Sequence, residues 1–425
     1  MSDDEHEGTS ELHLEPVRFI ARVDAVLRLG AMMLGAGASS ARVRAVMSRT
    51  AVALGIDRLD IRVGMTEIVV TARRAGLYRT RVAEVRPAVD AMKITALKRL
   101  SHDVTTETTV EQLQQRLDDI AAAGPRYPLL VRALAAGAAC AAFAVLLNGG
   151  WADAVAVGVA ATLGQLIRMM LMRSGLNEFL VVFLAAVASL VSFLGGTALL
   201  DLLGAPSSAH DTVLTAAVLF LVPGFPLVTG ALDLARLDLA AGINRVVYAA
   251  LVLLATGTAV WSVAAIVRAS ATATAAPLMD EPLLTAARLV AGFVGVLGFA
   301  LLFSTPFAVA ATAAAIGTVA NAGRLLLTDA HVEAGVAAVA AALAVGLIAS
   351  LVSDPLRAAR VTLTVPAVLI MVPGAATYQA IAATIEGDTL AAVQQGFEAV
   401  FVVVALAAGL TVARVLTERE WNRAR

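Results

Sequence analysis

The run Val222-Pro223-Gly224-Phe225-Pro226 recurs as Val372-Pro373-Gly374-Ala375-Ala376, and each copy interrupts an apolar stretch that would otherwise make one clean helix. Proline removes a backbone donor and its ring clashes with the preceding turn, while glycine tolerates dihedrals that other residues avoid. At membrane depth such a break persists only where protein or a water-filled cavity satisfies the freed backbone groups. Paired breaks in corresponding positions of two halves therefore predict a polytopic helical membrane protein with a solute site near the midplane.

Composition supports a membrane chain. Of 425 residues, 59% are hydrophobic and only 15% charged, which is too apolar for a soluble globular protein of this length. Windows of about twenty apolar residues suffice to cross a bilayer core, and ten are expected: 129–147, 151–172, 178–200, 212–232, 241–267, 284–304, 307–327, 332–352, 361–383 and 390–415. The repeat extends beyond the breaks. Pro128-Leu129-Leu130 matches Pro282-Leu283-Leu284, and Thr162, Gln165 and Arg168 match Thr318, Asn321 and Arg324. The offsets of 154, 156 and 150 residues drift as loop insertions would make them. Five helices per half is an odd number, so the second half is expected to enter the membrane inverted relative to the first. Arginines cluster at the even-numbered joints and the C-terminal tail, which predicts cytoplasmic termini. Asp201, Asp211, Asp280, Glu281, Asp329, Glu333, Glu386 and Asp388 then fall on the opposite side.

The chain before Pro128 reads differently. Residues 1–17 are expected to be a disordered acidic tail, and residues 18–124 a cytoplasmic α+β domain. Helical spacing runs over Val23–Leu34, Ala41–Leu54, Val89–Leu100 and Val110–Ile120, with strands at 61–65, 67–71 and 79–83. Residues 125–268 form the first membrane half, 269–277 an external linker, 278–416 the second half and 417–425 a cytoplasmic tail. Residues 18–120 hold 17 Lys and Arg against 11 Asp and Glu. These basic residues are interleaved with core-like apolar positions beside a membrane domain, so they are read as facing lipid headgroups and not nucleic acid. The acidic N-terminus lacks the basic stub and apolar run of a cleaved signal. Cys140 stands alone and the five histidines are scattered, so no metal site, disulfide or cofactor is expected.

The candidate solute pathway centres on Pro223, Gly224, Phe225, Pro226 and Thr229 in the first break, and Pro373, Gly374, Thr377, Tyr378 and Gln379 in the second. Freed N–H groups at a half-helix start suit a carboxylate, and freed carbonyls suit an ammonium or a cation. Packing kinks are the competing structural reading. Asn244, Arg245 and Gln394 follow the breaks. Thr162 and Gln165 share one helix face near Arg168, as do Thr318 and Asn321 near Arg324; interhelical bonding and snorkelling are the alternatives there. Glu398 falls well inside the tenth apolar stretch and, with Asp233, is a candidate for proton coupling. Gly35-Ala36-Gly37-Ala38-Ser39 lacks the order of a nucleophile elbow or a P-loop, and Ser101-His102-Asp103 would diverge on a helix, so enzymatic chemistry is not expected.

In the amino-terminal domain, Leu29-Gly30, Gly37-Ala38-Ser39-Ser40-Ala41-Arg42-Val43, Leu54-Gly55 and Thr66 combine with the two Val-Pro-Gly breaks. This set resembles the threonine/serine exporter family over nearly the whole chain beyond the acidic tail. In that family the amino-terminal domain and first five helices form one unit, and the last five helices form a second that is sometimes a separate chain; here both are fused. The resemblance implies export of threonine and serine across the plasma membrane, driven by the proton motive force. Related split systems look like dicarboxylate exporters, so a succinate-like substrate stays open. So does a membrane-bound hydrolase acting through the soluble domain. The expected partners are a small-molecule substrate and the lipid bilayer, with homo-oligomerisation left open.

Overall fold

A computed structural model describes residues 4–74, 76–124, 126–204, 213–267 and 281–418, with the backbone alone for residues 4–16 and 281. The linker at 269–277, Asp211, Asp280 and the tail beyond 418 lie outside the described residues. The chain divides into two compact units: Met1–Arg126 with Leu232–Arg245, and Tyr127–Ala231 with Val246–Arg425. The short segment 232–245, from within the first membrane half of the sequence, is thus part of the amino-terminal unit.

In that unit, helix α1 (Asp4–Gly35) packs on α2 (Ser40–Ala53), α3 (Ala91–Asp103), α4 (Val110–Ala122) and a sheet of β1 (Arg58–Val63), β2 (Glu67–Arg74) and β3 (Leu77–Glu84). The strands are antiparallel in the order β1-β2-β3, with Ile61 opposite Val70 and Val70 opposite Arg81. Side chains alternate across a strand, so Ile68, Val70 and Ala72 are buried and form the core with Val23, Val26, Leu29 and Met33 of α1. The backbone of helix α1 begins at Asp4, within the residues read from the sequence as an acidic tail.

The second unit is helical. Helices α5 (Leu129–Leu146), α6 (Trp151–Leu171) and α7 (Glu178–Leu202) lead to a 3₁₀ segment (Leu214–Leu221), then α8 (Gly224–Ala235) and α9 (Leu239–Val267). The second set is α10 (Glu281–Leu302), α11 (Phe307–Asp329), α12 (Ala334–Ser353), α13 (Arg360–Leu369), α14 (Gly374–Glu386) and α15 (Thr389–Thr417). Among the described residues eight helices are long and apolar enough to cross a bilayer, and two bent pairs bring the number to ten. Those pairs are the 3₁₀ segment with α8, bent by 64°, and α13 with α14, bent by 49°.

The repeat is visible in the joints. Left-handed backbone occurs at Asn148 and Ser304, at Gly175 and His331, at Gly204 and Arg357, and at Leu237 and Gly387. Each pair lies at the spacing of the sequence repeat, so the helices of the two halves end on the same turns. After α5, Gly149 N–H donates to Ala144 at 2.9 Å, and after α10, Thr305 N–H donates to Ala300 at 3.0 Å. These bonds close the same helix-terminating motif in both halves.

Candidate functional site

The two breaks share one backbone design. Gly224 N–H donates to the Val222 carbonyl at 2.8 Å, and Gly374 N–H donates to Val372 at 2.8 Å. The carbonyl of each proline then accepts the first bond of the following helix, from Leu227 at 3.0 Å and from Thr377 at 3.1 Å. The Leu219 and Leu369 carbonyls, which each proline leaves without a helical donor, accept instead from Val222 and Val372 N–H at 3.0 and 3.3 Å, which lets the chain turn within an apolar span. The breaks also seat each other. A Cβ added at Gly224 would lie 2.8 Å from Leu369 Cδ1 at the end of α13, and one at Gly374 would lie 2.6 Å from Phe143 Cε1 and 3.8 Å from Thr215 Oγ1 in the 3₁₀ segment. Each glycine is therefore pressed against the opposite half. Phe225 is buried, edge-on to Phe303 with ring centroids 4.9 Å apart.

Other predicted pathway residues divide into those beside the breaks and those away from them. Thr162 and Thr318 donate to the carbonyls of Gly158 and Ala314, both at 2.7 Å. They occupy equivalent places in the repeat. Gln165 is 2% exposed, and its Oε1 has no hydrogen-bond partner among the described residues. Its neighbour Gly164 abuts Phe220 of the 3₁₀ segment, just as Gly317, one turn before Asn321, abuts Ala367 of α13. Asn321 is spent on its own helix, accepting from Arg324 Nε at 3.1 Å. Arg168 lies in the field of Glu178 and Tyr248, and the Tyr248 hydroxyl donates to Glu178 at 2.5 Å. Thr229 is buried and back-bonded to Phe225 at 2.6 Å, and Tyr378 is fully buried. Pro226 and Gln379 are half-buried, and Thr377 is exposed, bonded to Pro373 at 2.9 Å.

Asn244, Gln394 and Glu398 lie on exposed faces. Helix α15 has 29 residues, well beyond the roughly 20 that a bilayer core requires, so a surface carboxylate in its third turn is not obliged to sit in hydrocarbon.

Asp233 and Arg245 are instead drawn into a buried charge cluster of the amino-terminal unit. Arg245 Nη1 pairs with Asp233 Oδ2 at 3.2 Å, with both side chains at most 5% exposed. The Ser40 hydroxyl bonds Asp233 Oδ1 at 2.8 Å and also Asp238, while Ser40 N–H points at Asp233 Oδ2 at 3.5 Å. Arg44 pairs with Asp238 at 2.5 Å, and Arg245 Nη2 donates to the Ala38 carbonyl at 2.7 Å. The turn that presents these groups depends on Gly37. Its φ of +93° is left-handed, and a Cβ there would lie 2.9 Å from the Ala88 carbonyl. Ser40 opens α2, so Asp233 also receives the positive end of that helix. Two carboxylates and two guanidiniums balance, with the Arg245–Asp233 pair buried and the Arg44–Asp238 pair half-buried at its edge.

Two family profiles cover the chain. Residues 24–267 match one described as "Putative threonine/serine exporter", and residues 288–416 match "Threonine/Serine exporter, ThrE". The chain belongs to the threonine/serine exporter family. It is a multi-pass membrane transporter of the exporter type. It is also similar to the "Probable succinate transporter subunit YjjP" of Escherichia coli, 30% identical over 251 residues, which is 58% of this chain and 93% of the relative. The protein of the same name from Klebsiella aerogenes is 30% identical over 234 residues, 53% of this chain and 85% of the relative. No solved structure matches.

For this exporter-family chain, the residues that sequence reasoning missed are Ser40 and Arg44. Ser40 lies within the motif that carried the resemblance, but nothing in its spacing announced a partner some 190 residues away. In the neighbouring Ser101-His102-Asp103 run the side chains diverge: Ser101 donates back to Lys98 at 2.7 Å, and His102 contacts Arg49 at 2.5 Å. Partial desolvation, then the Arg49 and Lys98 charges, hold the His102 imidazole below its ordinary pKa.

Proposed function

We propose that this protein exports threonine and serine across the plasma membrane, driven by the proton motive force, with both termini cytoplasmic and the two halves inverted. The observation that carries the reading is the reciprocal seating of two identically bonded helix breaks, since a broken pair at a repeat interface is where transporters hold small polar solutes. The buried acceptor on Gln165, beside the first broken helix, favours a solute that brings its own donor, such as an ammonium or a hydroxyl. Of the two coupling candidates, Asp233 is the one held in a buried charge network, and it is assigned the proton-coupling role.

A dicarboxylate is the second reading, favoured by the printed names of the two curated relatives. Efflux of labelled threonine, serine and succinate from proteoliposomes holding the purified chain, with and without an imposed proton gradient, separates the two. Gradient-dependent movement of threonine and serine alone is expected. Movement of succinate alone would replace the substrate, and gradient-independent movement would remove the coupling.

A further inference from the structure

The first broken helix carries more charge than a repeat requires. At the positions matching Asp233 and Arg245, the second half holds Ala383 and Gln395, and Asp388, which matches Asp238, caps its own helix by accepting from Ala391 N–H at 3.0 Å. Asp238 instead turns its carboxylate to Ser40 and Arg44. The amino-terminal turn and α2 thus bring the Ser40 hydroxyl and amide, the Ala38 carbonyl and the Arg44 guanidinium to these charges. An exposed tether would not need a serine that is wholly buried and bonded to two carboxylates at once.

We infer that Ser40 is a positioning residue for Asp233, so that the amino-terminal domain supplies part of the coupling site itself. This rests on the coupling role proposed for Asp233. The groups facing Asp233 are the Ser40 hydroxyl and amide from α2, the Arg245 guanidinium from α9 and the Asp238 carboxylate from the joint before α9, with Arg44 of α2 behind Asp238. The Ser40 donors and Arg245 favour the ionised carboxylate, and Asp238 opposes it. Against the burial that disfavours the ionised form, Ser40 therefore adds to Arg245 in setting the pH at which Asp233 exchanges its proton. It also fixes the carboxylate against Arg245, whose second nitrogen is held by the Ala38 carbonyl of the same turn.

The test is the pH profile of gradient-driven efflux from proteoliposomes containing the full chain. Ser40→Ala should move the midpoint about one unit alkaline, because the ionised form loses its donor, and Ser40→Thr should restore it by keeping the hydroxyl. Asp238→Asn should move the midpoint the other way, by removing a like charge from beside Asp233. An alkaline shift in Ser40→Ala that Ser40→Thr reverses establishes the inference, and where Ser40→Ala folds poorly the acid shift of Asp238→Asn tests the same cluster. Variants that change only the maximal rate or the thermal midpoint, with the pH midpoint fixed, would overturn it and leave the transport reading standing. A wild-type chain that moves no solute at any pH would overturn both.

Discussion

After Pro223 the first broken helix runs to Ala235 and, with the joint and helix that follow, delivers Asp233, Asp238 and Arg245 to a buried cluster with Ser40 and Arg44. After Pro373 the second runs to Glu386, and the matching positions are Ala383, Asp388 and Gln395. The two breaks share the glycine-to-valine and proline-carbonyl hydrogen bonds, although a 3₁₀ segment leads into the first and an α-helix into the second. Bonding pattern and charge have therefore been separated: the hydrogen bonds of the break belong to both halves, and the ion network to one. A Val-Pro-Gly break does not need charged neighbours to form, so the charges at the first break call for a reason beyond folding.

The largest effect should come from removing one side of the buried pair. Arg245→Met leaves Asp233 without its counter-charge, and breaking a buried pair costs about 3–5 kcal/mol. At the matching position in the second half, Gln395→Met should stay within about 0.5 kcal/mol. Thermal unfolding of the purified variants in detergent measures both, and equal losses would erase the asymmetry. A smaller effect should come from the joints. Leu237 and Gly387 occupy the same left-handed position with φ of 59° and 79°, and a non-glycine residue there costs about 1–2 kcal/mol. Leu237→Gly should raise stability by about 0.5 kcal/mol once the added freedom of the unfolded chain is set against the relief. Gly387→Leu should lower stability, and a neutral result for both would mean that the joints are less alike than their dihedrals.

Much of this architecture was legible in the sequence, because hydropathy and proline report directly on spans and breaks. The window read at 151–172 is helix Trp151–Leu171, and the windows read at 212–232 and 361–383 are the two bent pairs. The strands read at 67–71 and 79–83 are the cores of β2 and β3. Side-chain partnerships were less legible. Asp233 and Arg245 stood out as charges in an apolar context, yet their shared partner Ser40 is a small polar residue in a glycine-rich turn, and only the folded chain brings them together. For Glu398 the apolar stretch gives a position along the helix, but periodicity does not say which face meets the protein, and its side chain lies on an exposed face.

The central claim is that the reciprocal breaks form the transporting element, and the initial rate of gradient-driven threonine efflux tests it in Gly374→Ala and Gly224→Ala. The added methyl at Gly374 meets the Phe143 ring, which has nowhere to turn within a packed core, whereas at Gly224 it meets the flexible end of Leu369. The account predicts a loss of about tenfold or more for Gly374→Ala and a smaller loss for Gly224→Ala, with both proteins folded. Wild-type rates in folded Gly374→Ala would contradict it.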